Sequence, residues 1–314
     1  MVRLLIAVLA AAAAALALAA CGDSSTPAPA AAPPPAATAE TAETADAAQS
    51  ALRPPLRRLE DDRGEAHTSG CHLKTSGRTR SPGARCVFGA KDSPVTVVNI
   101  GDSHALMYAP AMIALARQHG WRLVNLTRAG CTIADVDQND RCNPWRRDAL
   151  RRLVRERPDL VVVSNGMLGD RYRVRLSDGR RLSRRASQPK LEAGLARSLR
   201  RMRATGAAVV VIRDMAKAPS YDTGACLRRH RDAVDRCAFR ATRPESLAFD
   251  ARAAERVDGV TLADPLPVLC PDGRCPMVAG DVIVYRNGYH LSATYAETLA
   301  PWIASQIPPG LVGG

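Results

Sequence analysis

Two short segments, far apart in the sequence, carry residue types that could perform nucleophilic catalysis. The first is Gly101-Asp102-Ser103-His104, which directly follows a β-branched, aliphatic run typical of a buried strand. A serine at such a strand-to-helix corner is exposed at the sheet edge, near the positive helix N-terminus that stabilises an oxyanion. The alternative is that Ser103 only caps the helix that follows it.

The second segment, Asn287-Gly288-Tyr289-His290-Leu291-Ser292, places a histidine in a loop at the start of the last predicted helix. The chain has six histidines, and His290 is the one in a late loop that opens a helix. Its expected role is that of a general base, which takes the Ser103 proton and later returns it to the leaving group.

Short apolar runs alternate with helical patterns and must position these two segments. This alternation predicts an α/β fold, with a doubly wound, mostly parallel, flavodoxin-like sheet and helices on both faces. In such sheets the ligand site lies outside the carboxyl ends of the strands, so functional residues should directly follow strands. The predicted strands are 95–100, 123–126, 160–164, 209–212 and 260–262, and the predicted helices are 104–119, 144–156, 190–205, 244–257 and 292–307.

Three residues are assigned to helix bends and boundaries. Pro110 should bend the first helix, because proline disrupts the hydrogen bonding of a helix interior. Ser187 is the expected N-cap of the third helix, and Gly206 its end.

The N-terminus has the pattern of an export signal. Arg3 precedes an unbroken apolar run over residues 4–20 that is too short and too alanine-rich for a membrane span. Leu18-Ala19-Ala20-Cys21 resembles the lipobox of bacterial lipoproteins, in which cleavage leaves a lipidated cysteine as the first mature residue. We therefore expect Cys21 to anchor the protein to the outer face of the cell membrane. The alternative is a plain signal peptide cut after Ala20.

Three segments follow from this pattern. Residues 1–20 are the predicted lipoprotein signal peptide, and residues 21–55 are the lipidated cysteine with a disordered tether rich in alanine, proline and threonine. Residues 56–314 are the predicted α/β domain.

The remaining cysteines indicate disulfides. Without Cys21 the count is eight, an even number, and export to an oxidising compartment favours disulfides, although sequence alone permits many connectivities. A zinc site is disfavoured because there is no Cys-x-x-Cys pair and His72 has no partner at ligand spacing, so we expect no metal and no cofactor. The favoured pairs are consecutive in sequence: Cys71 with Cys86, Cys131 with Cys142, Cys226 with Cys237, and Cys270 with Cys275.

The formal charge of +13 raises nucleic acid as a partner. Export and the absence of an aromatic stacking motif argue against that partner, and the abundance of aliphatic residues excludes a wholly disordered protein. Seven arginines lie between Arg171 and Arg185. Arg180 and Arg181 are candidates for contacts with an anionic glycan, and the alternative is a solvated hairpin.

The Gly-Asp-Ser-His motif, together with the late His-Leu-Ser segment, resembles the SGNH hydrolase superfamily. The likeness is closest to the periplasmic SGNH domains fused to, or partnered with, acyltransferase 3 membrane proteins, and it spans residues from about Cys71 to Trp302. The resemblance implies Ser103 as the nucleophile and His290 as the base.

The same resemblance implies an oxyanion hole. Its members would be the Ser103 corner, the backbone N–H of Gly130 and the side chain of Asn165, although Asn165 could instead cap a turn. Asp102 and His104, which flank the serine, are further candidates for substrate contacts.

One residue departs from the family pattern. The family has aspartate three residues before the histidine, whereas this chain has Asn287. An amide oxygen can accept a hydrogen bond from the imidazole, but it lacks the negative charge that stabilises imidazolium. The alternatives are a weakened triad or working dyad, and a substitute acid, for which Asp281 is the candidate.

The implied chemistry is acyl transfer on cell-envelope glycans through an acyl-Ser103 intermediate. With water as acceptor the protein would be an O-acetyl esterase, and with a sugar hydroxyl an O-acyltransferase. Expected partners are the glycan, the membrane surface and a membrane acyltransferase 3 donor. The alternative is a non-catalytic, glycan-binding lipoprotein with a degenerate site.

Overall fold

The computed structural model describes residues 52–166, 172–218 and 222–312. They all belong to one compact unit. The predicted signal peptide, Cys21 and nearly all of the predicted tether lie outside the described residues, as does Arg171.

The longer strands of the described chain form a central parallel sheet, and most of the others are short. The strands in chain order are β1 (His72–Leu73), β2 (Val87–Gly89), β3 (Thr96–Gly101), β4 (Arg122–Arg128), β5 (Leu160–Ser164), β6 (Ala208–Ile212), β7 (Phe239–Arg240), β8 (Val260–Ala263), β9 (Arg274–Cys275), β10 (Val278–Ala279), β11 (Val282–Ile283), β12 (Tyr285–Asn287) and β13 (His290–Leu291).

The helices fill the segments between these strands. The α-helices are Glu65–Thr68, Ser103–Met107, Ala109–Gln118, Cys142–Glu156, Arg184–Arg203, Thr223–Arg229, Phe249–Glu255, Leu266–Leu269, Ala293–Thr298, Ala300–Ser305 and Pro309–Val312. The 3-10 helices are Leu56–Asp61, Ala84–Cys86, Val234–Cys237, Glu245–Leu247 and Pro271–Gly273. Within the described part of the chain, no helix is long and apolar enough to cross a membrane.

Five parallel strands form the centre of the sheet, in the order β4-β3-β5-β6-β8. At the outer edge, β1 pairs in parallel and β2 antiparallel with β4. Numbered among themselves, the five central strands follow the flavodoxin-like order of a doubly wound fold, with the topological switch point between β3 and β5. The structure therefore confirms the predicted fold class.

Both faces of the sheet are buried, which explains why the central strands are mostly apolar. Val98 and Ile100 of β3 belong to a core that includes the inner face of the helix Cys142–Glu156. Their neighbour Val97 belongs to the opposite core, which includes the inner face of the helix Ala109–Gln118. Successive strand residues point to opposite faces, so a strand covered on both sides is apolar at most positions, and a buried polar residue needs a partner, as Asn99 has in Asn125.

The predicted strands are all present, but several helix boundaries were wrong. The first helix is interrupted at Tyr108, and Pro110 lies in the first turn of the second piece, which tolerates a residue without an N–H. The helix predicted over 244–257 is a 3-10 turn followed by Phe249–Glu255. The last helix is interrupted at Leu299, again just before a proline in the next first turn.

The predicted N-cap of the long helix was also wrong. Ser183, not Ser187, caps the helix Arg184–Arg203, and its Oγ accepts a hydrogen bond from the N–H of Ala186. Ser187 lies within the first turns, where its Oγ donates to the carbonyl of Ser183 and accepts from the N–H of Val174.

Disulfides join the eight cysteines in the consecutive pairs that the sequence favoured: Cys71–Cys86, Cys131–Cys142, Cys226–Cys237 and Cys270–Cys275. Because disulfides persist in oxidising compartments, these bonds indicate an extracytoplasmic location.

The domain begins earlier than the sequence predicted. Leu52, assigned to the tether, is buried. The N–H of Arg53 donates to the carbonyl of Asp281, and the N–H of Ile283 donates to the carbonyl of Arg53. Residues 52–55 therefore belong to the domain rather than to the tether.

Ser292 connects the strand that carries His290 to the helix Ala293–Thr298 through its side chain. Its buried Oγ accepts from the N–H of Tyr295 and donates to the carbonyl of Ile283. We expect Ser292→Ala to lower the free energy of unfolding by about 1–2 kcal/mol, because a buried cap and a carbonyl partner are both lost. Urea denaturation of the oxidised protein measures this change.

Ser305→Ala is the matched control for this measurement. The Ser305 hydroxyl also donates to a carbonyl, that of Trp302, but it is exposed, so the expected loss is below about 0.5 kcal/mol. An equal loss of unfolding free energy in the two variants would contradict the stabilising role of the Ser292 hydroxyl.

Candidate active site

Gly101 begins the site at the end of β3. Its backbone φ is +151°, and a Cβ built there would lie 1.9 Å from the carbonyl oxygen of Ser164 on β5. No side chain fits between these two strand ends. The glycine of the motif is thus required by the close approach of β3 and β5 at the switch point.

Asp102 joins the ends of these two strands. Its carboxylate, fully buried, accepts hydrogen bonds from the N–H of His104 at 2.7 Å, the N–H of Gly166 at 2.8 Å and the hydroxyl of Tyr172. Asp102 does not line the cavity, so its assignment as a substrate contact was wrong. It instead holds the start of the Ser103 helix against the loop after β5.

The structure brings together Ser103 and His290, which are 187 residues apart in sequence, at hydrogen-bond distance. The Oγ of Ser103 lies 2.9 Å from Nε2 of His290. On the other side of the imidazole, Nδ1 of His290 lies 3.0 Å from Oδ1 of Asn287. Ser103, His290 and Asn287 therefore form one hydrogen-bonded line.

Tyr289 determines the direction of these hydrogen bonds. Its backbone N–H, which can only donate, lies 3.0 Å from Oδ1 of Asn287, so the amide presents its oxygen on this side. That oxygen can only accept from Nδ1 of His290. Nδ1 therefore carries the hydrogen in the neutral ring, and Nε2 is the acceptor that faces Ser103.

His290 is held neutral by its surroundings. Burial lowers its pKa, and the nearby positive charges of His104 and Arg286 lower it further, to about 2. The ring centroids of His104 and His290 are 5.3 Å apart. His290 is therefore an unprotonated base over the ordinary pH range, and Asn287 adds no negative charge that would favour its protonation.

His104 forms a buried ion pair that the sequence analysis did not anticipate. Its Nδ1 lies 2.6 Å from Oδ1 of Asp214. Burial alone lowers the pKa of His104, but the charges of Asp214, Asp102 and Asp250 outweigh it and raise the pKa to about 9. His104 lines the cavity and is charged at neutral pH.

Asp214 lies two residues after β6, at the carboxyl edge that also carries Ser103. The rule that functional residues directly follow strands would have identified it. Gly166 is also constrained, though less tightly than Gly101, because a Cβ there would lie 2.9 Å from the ring of His104.

The two oxyanion-hole candidates lie at the same edge of the sheet. Gly130 follows β4, has φ +65° and lines the cavity with Ser103. Asn165 follows β5 and is fully buried, and its Oδ1 accepts from Thr132 Oγ1 at 3.1 Å and Ile133 N at 3.0 Å. The Nδ2 of Asn165 is buried and makes no hydrogen bond within the described residues, so its donor capacity is unused.

Asp281 does not reach His290. Its carboxylate is exposed and pairs with the guanidinium of Arg53 at 2.7 Å. That hydrogen bond lowers the pKa of Asp281. The substitute-acid alternative was therefore wrong, because Asn287 occupies the position next to the imidazole.

Arg180 and Arg181, the candidates for contacts with an anionic glycan, do not line the Ser103 cavity. They lie in an exposed hairpin, in which the backbones of Arg175 and Arg181 form an isolated antiparallel β-bridge. The Nε of Arg180 donates to the carboxylate of Asp178 at 2.7 Å. Arg181 lines a neighbouring, shallower pocket. Contact with an anionic glycan and a solvated hairpin both remain predictions for this segment.

The cavity in front of Ser103 has a volume of about 860 Å³, within the range of small-molecule sites. Ionisable side chains from several segments line it: Asp62, Arg63, His67, His72, Lys74, His104, Asp214, Lys217, Arg286 and His290. The basic members other than His104 and His290 were missed at the sequence level, because they come from unrelated segments and share no local motif.

Known structures resemble this fold at low sequence identity. The periplasmic domain of the lipopolysaccharide acetyltransferase of Salmonella ser. Paratyphi A is 12% identical, with a TM-score of 0.57 over 82% of this chain and 98% of that chain. A catalytic mutant of Axe2, an acetylxylan esterase from Geobacillus stearothermophilus, is 16% identical, with a TM-score of 0.40 over 70% of this chain and 95% of that chain. No curated protein matches the sequence.

A serine and a histidine at the switch point of a flavodoxin-like sheet are the defining arrangement of the SGNH hydrolase fold. The sequence profile described as "SGNH domain (fused to AT3 domains)" matches residues 70–305, about three quarters of the chain. The chain belongs to this family, whose fold and serine–histidine site are those of SGNH-type enzymes.

The neutral state of His290 predicts the pH dependence of turnover. A base whose pKa is about 2 gives kcat/KM no acid limb near 6.5, the ordinary value for histidine. In Asn287→Asp the added carboxylate raises the pKa of His290, so the acid limb moves up by about one unit or more and kcat rises by roughly tenfold or more. A pH profile with a chromogenic acetyl ester measures both effects.

Two variants serve as controls for this profile. Asp281→Ala should keep wild-type kcat, because its carboxylate is occupied by Arg53. Asn139→Asp should leave the acid limb in place, because within the described chain that side chain bonds to the start of the helix Cys142–Glu156 and not to His290. An unmoved acid limb in Asn287→Asp would contradict the assignment of His290 as the base.

Proposed function

We propose that this protein transfers acyl groups on cell-envelope glycans through an acyl-Ser103 intermediate. The observation that carries the proposal is the 2.9 Å contact between Ser103 Oγ and His290 Nε2, at the wall of a cavity large enough for a sugar unit. The accepting state of Nε2, fixed by Asn287 and Tyr289, supports the roles of nucleophile and general base.

The proposed first half-reaction forms the acyl-enzyme. Ser103 Oγ attacks the acyl carbonyl carbon while His290 Nε2 takes the hydroxyl proton, which gives a tetrahedral oxyanion. The ester bond then breaks, His290 returns the proton to the leaving alcohol, and the acyl group stays on Ser103. The proposed oxyanion donors are the Ser103 N–H, the Gly130 N–H and Nδ2 of Asn165.

The second half-reaction decides between esterase and transferase. His290 takes a proton from the acceptor, whose oxygen attacks the acyl-Ser103 carbonyl, and the serine recovers its proton as the new product leaves. Water as acceptor gives hydrolysis, and a sugar hydroxyl gives O-acylation. The family description, which links such domains to AT3 domains, supports transfer from a membrane acyltransferase 3 donor.

A second candidate function is a non-catalytic, glycan-binding lipoprotein. The observation that favours it is Asn287, which cannot stabilise a protonated His290 electrostatically. The two candidates differ in one measurable property, the reactivity of Ser103.

The proposed location is the outer face of the bacterial cell membrane, with lipid chains on Cys21 as the anchor. The lipobox-like residues Leu18 to Cys21 and the four disulfides of the domain support this location.

A fluorophosphonate probe tests the catalytic proposal. We expect labelling of the wild type, and in Ser103→Ala we expect no labelling and a loss of acetyl-ester hydrolysis of at least about 10³-fold, because the nucleophile is removed. In-gel fluorescence and a chromogenic acetyl ester give the two readouts. Ser76→Ala, which changes another serine of the cavity wall, should keep both activities. A folded wild type that does not label would support the binding protein instead.

Membrane fractionation tests the anchor. Wild-type protein expressed in a bacterial host should sediment with membranes, whereas Cys21→Ser should appear in the soluble extracytoplasmic fraction, because no lipid can be attached. Membrane association that survives Cys21→Ser would contradict the proposed lipidation.

A further inference from the structure

Arg286 is a half-buried guanidinium in the wall of the Ser103 cavity. It directly precedes Asn287 on β12, the strand that pairs with the His290 strand β13. Its charge acts on His290, since it is among the causes that lower the pKa of that histidine. Arg286 therefore belongs to the part of the cavity next to the reacting serine.

This guanidinium has no direct ion-pair partner among the described residues: burial and Arg63 lower its pKa to about 10, although the nearby carboxylates of Asp62, Glu60 and Asp61 act in the opposite direction. Among the described residues it makes no hydrogen bond and no ion pair, and its Nε is shielded from solvent. A charged group that is withdrawn from water without a partner is unfavourable, and arginine forms strong bidentate pairs with carboxylates and phosphates. An unpartnered arginine in a binding cavity is thus suited to an anionic group supplied by the ligand.

The rest of the cavity wall has the same sign of charge. Arg63, Lys74 and Lys217 also line it. Two carboxylates, Asp62 and Asp214, line the described part of the wall. Asp214 pairs with His104, which leaves the carboxylate of Asp62, an acceptor of the Thr294 N–H, against the cations Arg63, Lys74, Lys217 and Arg286. Positive charge therefore predominates around the serine.

We propose that Arg286, assisted by Arg63 and Lys74, binds a carboxylate or phosphate group of the glycan whose hydroxyl is acylated or deacylated at Ser103. The substrate class is thus an anionic saccharide. This inference rests on the proposed function, because it names the substrate of the same site. It assigns specificity to the cavity wall rather than to the arginine-rich hairpin around Arg180.

Arg63 is placed to share the bound anion. Its Nε donates to the carbonyl of Glu60, and one terminal nitrogen lies 3.5 Å from Nε2 of His67, and no carboxylate of the described residues forms an ion pair with it. Together Arg63 and Arg286 offer several N–H donors to a planar or tetrahedral anion. Neutral sugars would leave both guanidinium groups without an anionic partner.

Hydrolysis kinetics test the assignment. The substrates are O-acetylated oligosaccharides of similar length: a carboxylate-bearing one, a phosphate-bearing one and neutral acetyl-xylo-oligosaccharide as reference. We expect wild-type kcat/KM to be at least about tenfold higher for one anionic substrate than for the neutral one, mainly through KM, and this preference to shrink with added salt.

Arg286→Gln should lower the anionic-to-neutral ratio of kcat/KM by at least about tenfold, and Arg286→Lys should restore part of it. Arg201→Gln, which removes one exposed charge from the helix Arg184–Arg203, should keep the wild-type ratio. The anionic substrate whose ratio depends on Arg286 identifies the group as carboxylate or phosphate. An equal kcat/KM for all three wild-type substrates, or a ratio unchanged in Arg286→Gln, would overturn the inference.

Binding to Ser103→Ala separates this inference from the proposed function. Isothermal titration of that variant with the same oligosaccharides requires no chemistry, and we expect tighter binding of an anionic one. Tighter anionic binding without any wild-type turnover would reject the enzyme and keep the anion site. Normal hydrolysis without anionic preference in either assay would reject the anion site and keep the enzyme.

Discussion

The carboxylate of Asp102 is the interaction on which the site depends. It lies between the ends of the two strands that flank the topological switch point, and it accepts hydrogen bonds from the start of the Ser103 helix and from the loop after β5. Gly101 allows those strand ends to approach because it has no side chain. The nucleophile is thereby fixed to the rigid part of the sheet, which limits the loss of entropy on reaching a reactive geometry.

The histidine reaches this fixed serine from a separate part of the chain and has an unusual partner. An amide in place of the usual carboxylate gives the correct tautomer only if its oxygen faces the imidazole, and the N–H of Tyr289 enforces that orientation. Asn287 therefore orients the imidazole but supplies no negative charge that would stabilise its protonated form. Consistent with this, the pKa of His290 is low, so the ring is always ready to accept the serine proton but stabilises that proton weakly.

The charge of the rest of the cavity depends on which of its ionisable side chains form ion pairs. His104 is kept protonated by Asp214, and the two form a neutral buried pair behind the serine. Arg286 has no such partner among the described residues, so its charge remains available to the cavity. Arg286 and Arg63, two of the positive charges that add to the effect of burial in lowering the pKa of His290, would also attract an anionic glycan, which links the state of the base to the class of substrate.

The sequence by itself determined the elements of this protein and the candidate nucleophile and base. Apolar strand runs, the glycine-serine corner and the late histidine are local patterns, and so are the consecutive cysteine pairs, because each disulfide closes a short loop. The pairing of Ser103 with His290 and the rejection of Asp281 depended on tertiary structure, as did the roles of Asp102, His104 and Arg286. All of these features depend on burial and on distances between segments that are far apart in sequence. Only the folded chain brings Arg286 of β12 and Asp214, which follows β6, close to Ser103, which follows β3.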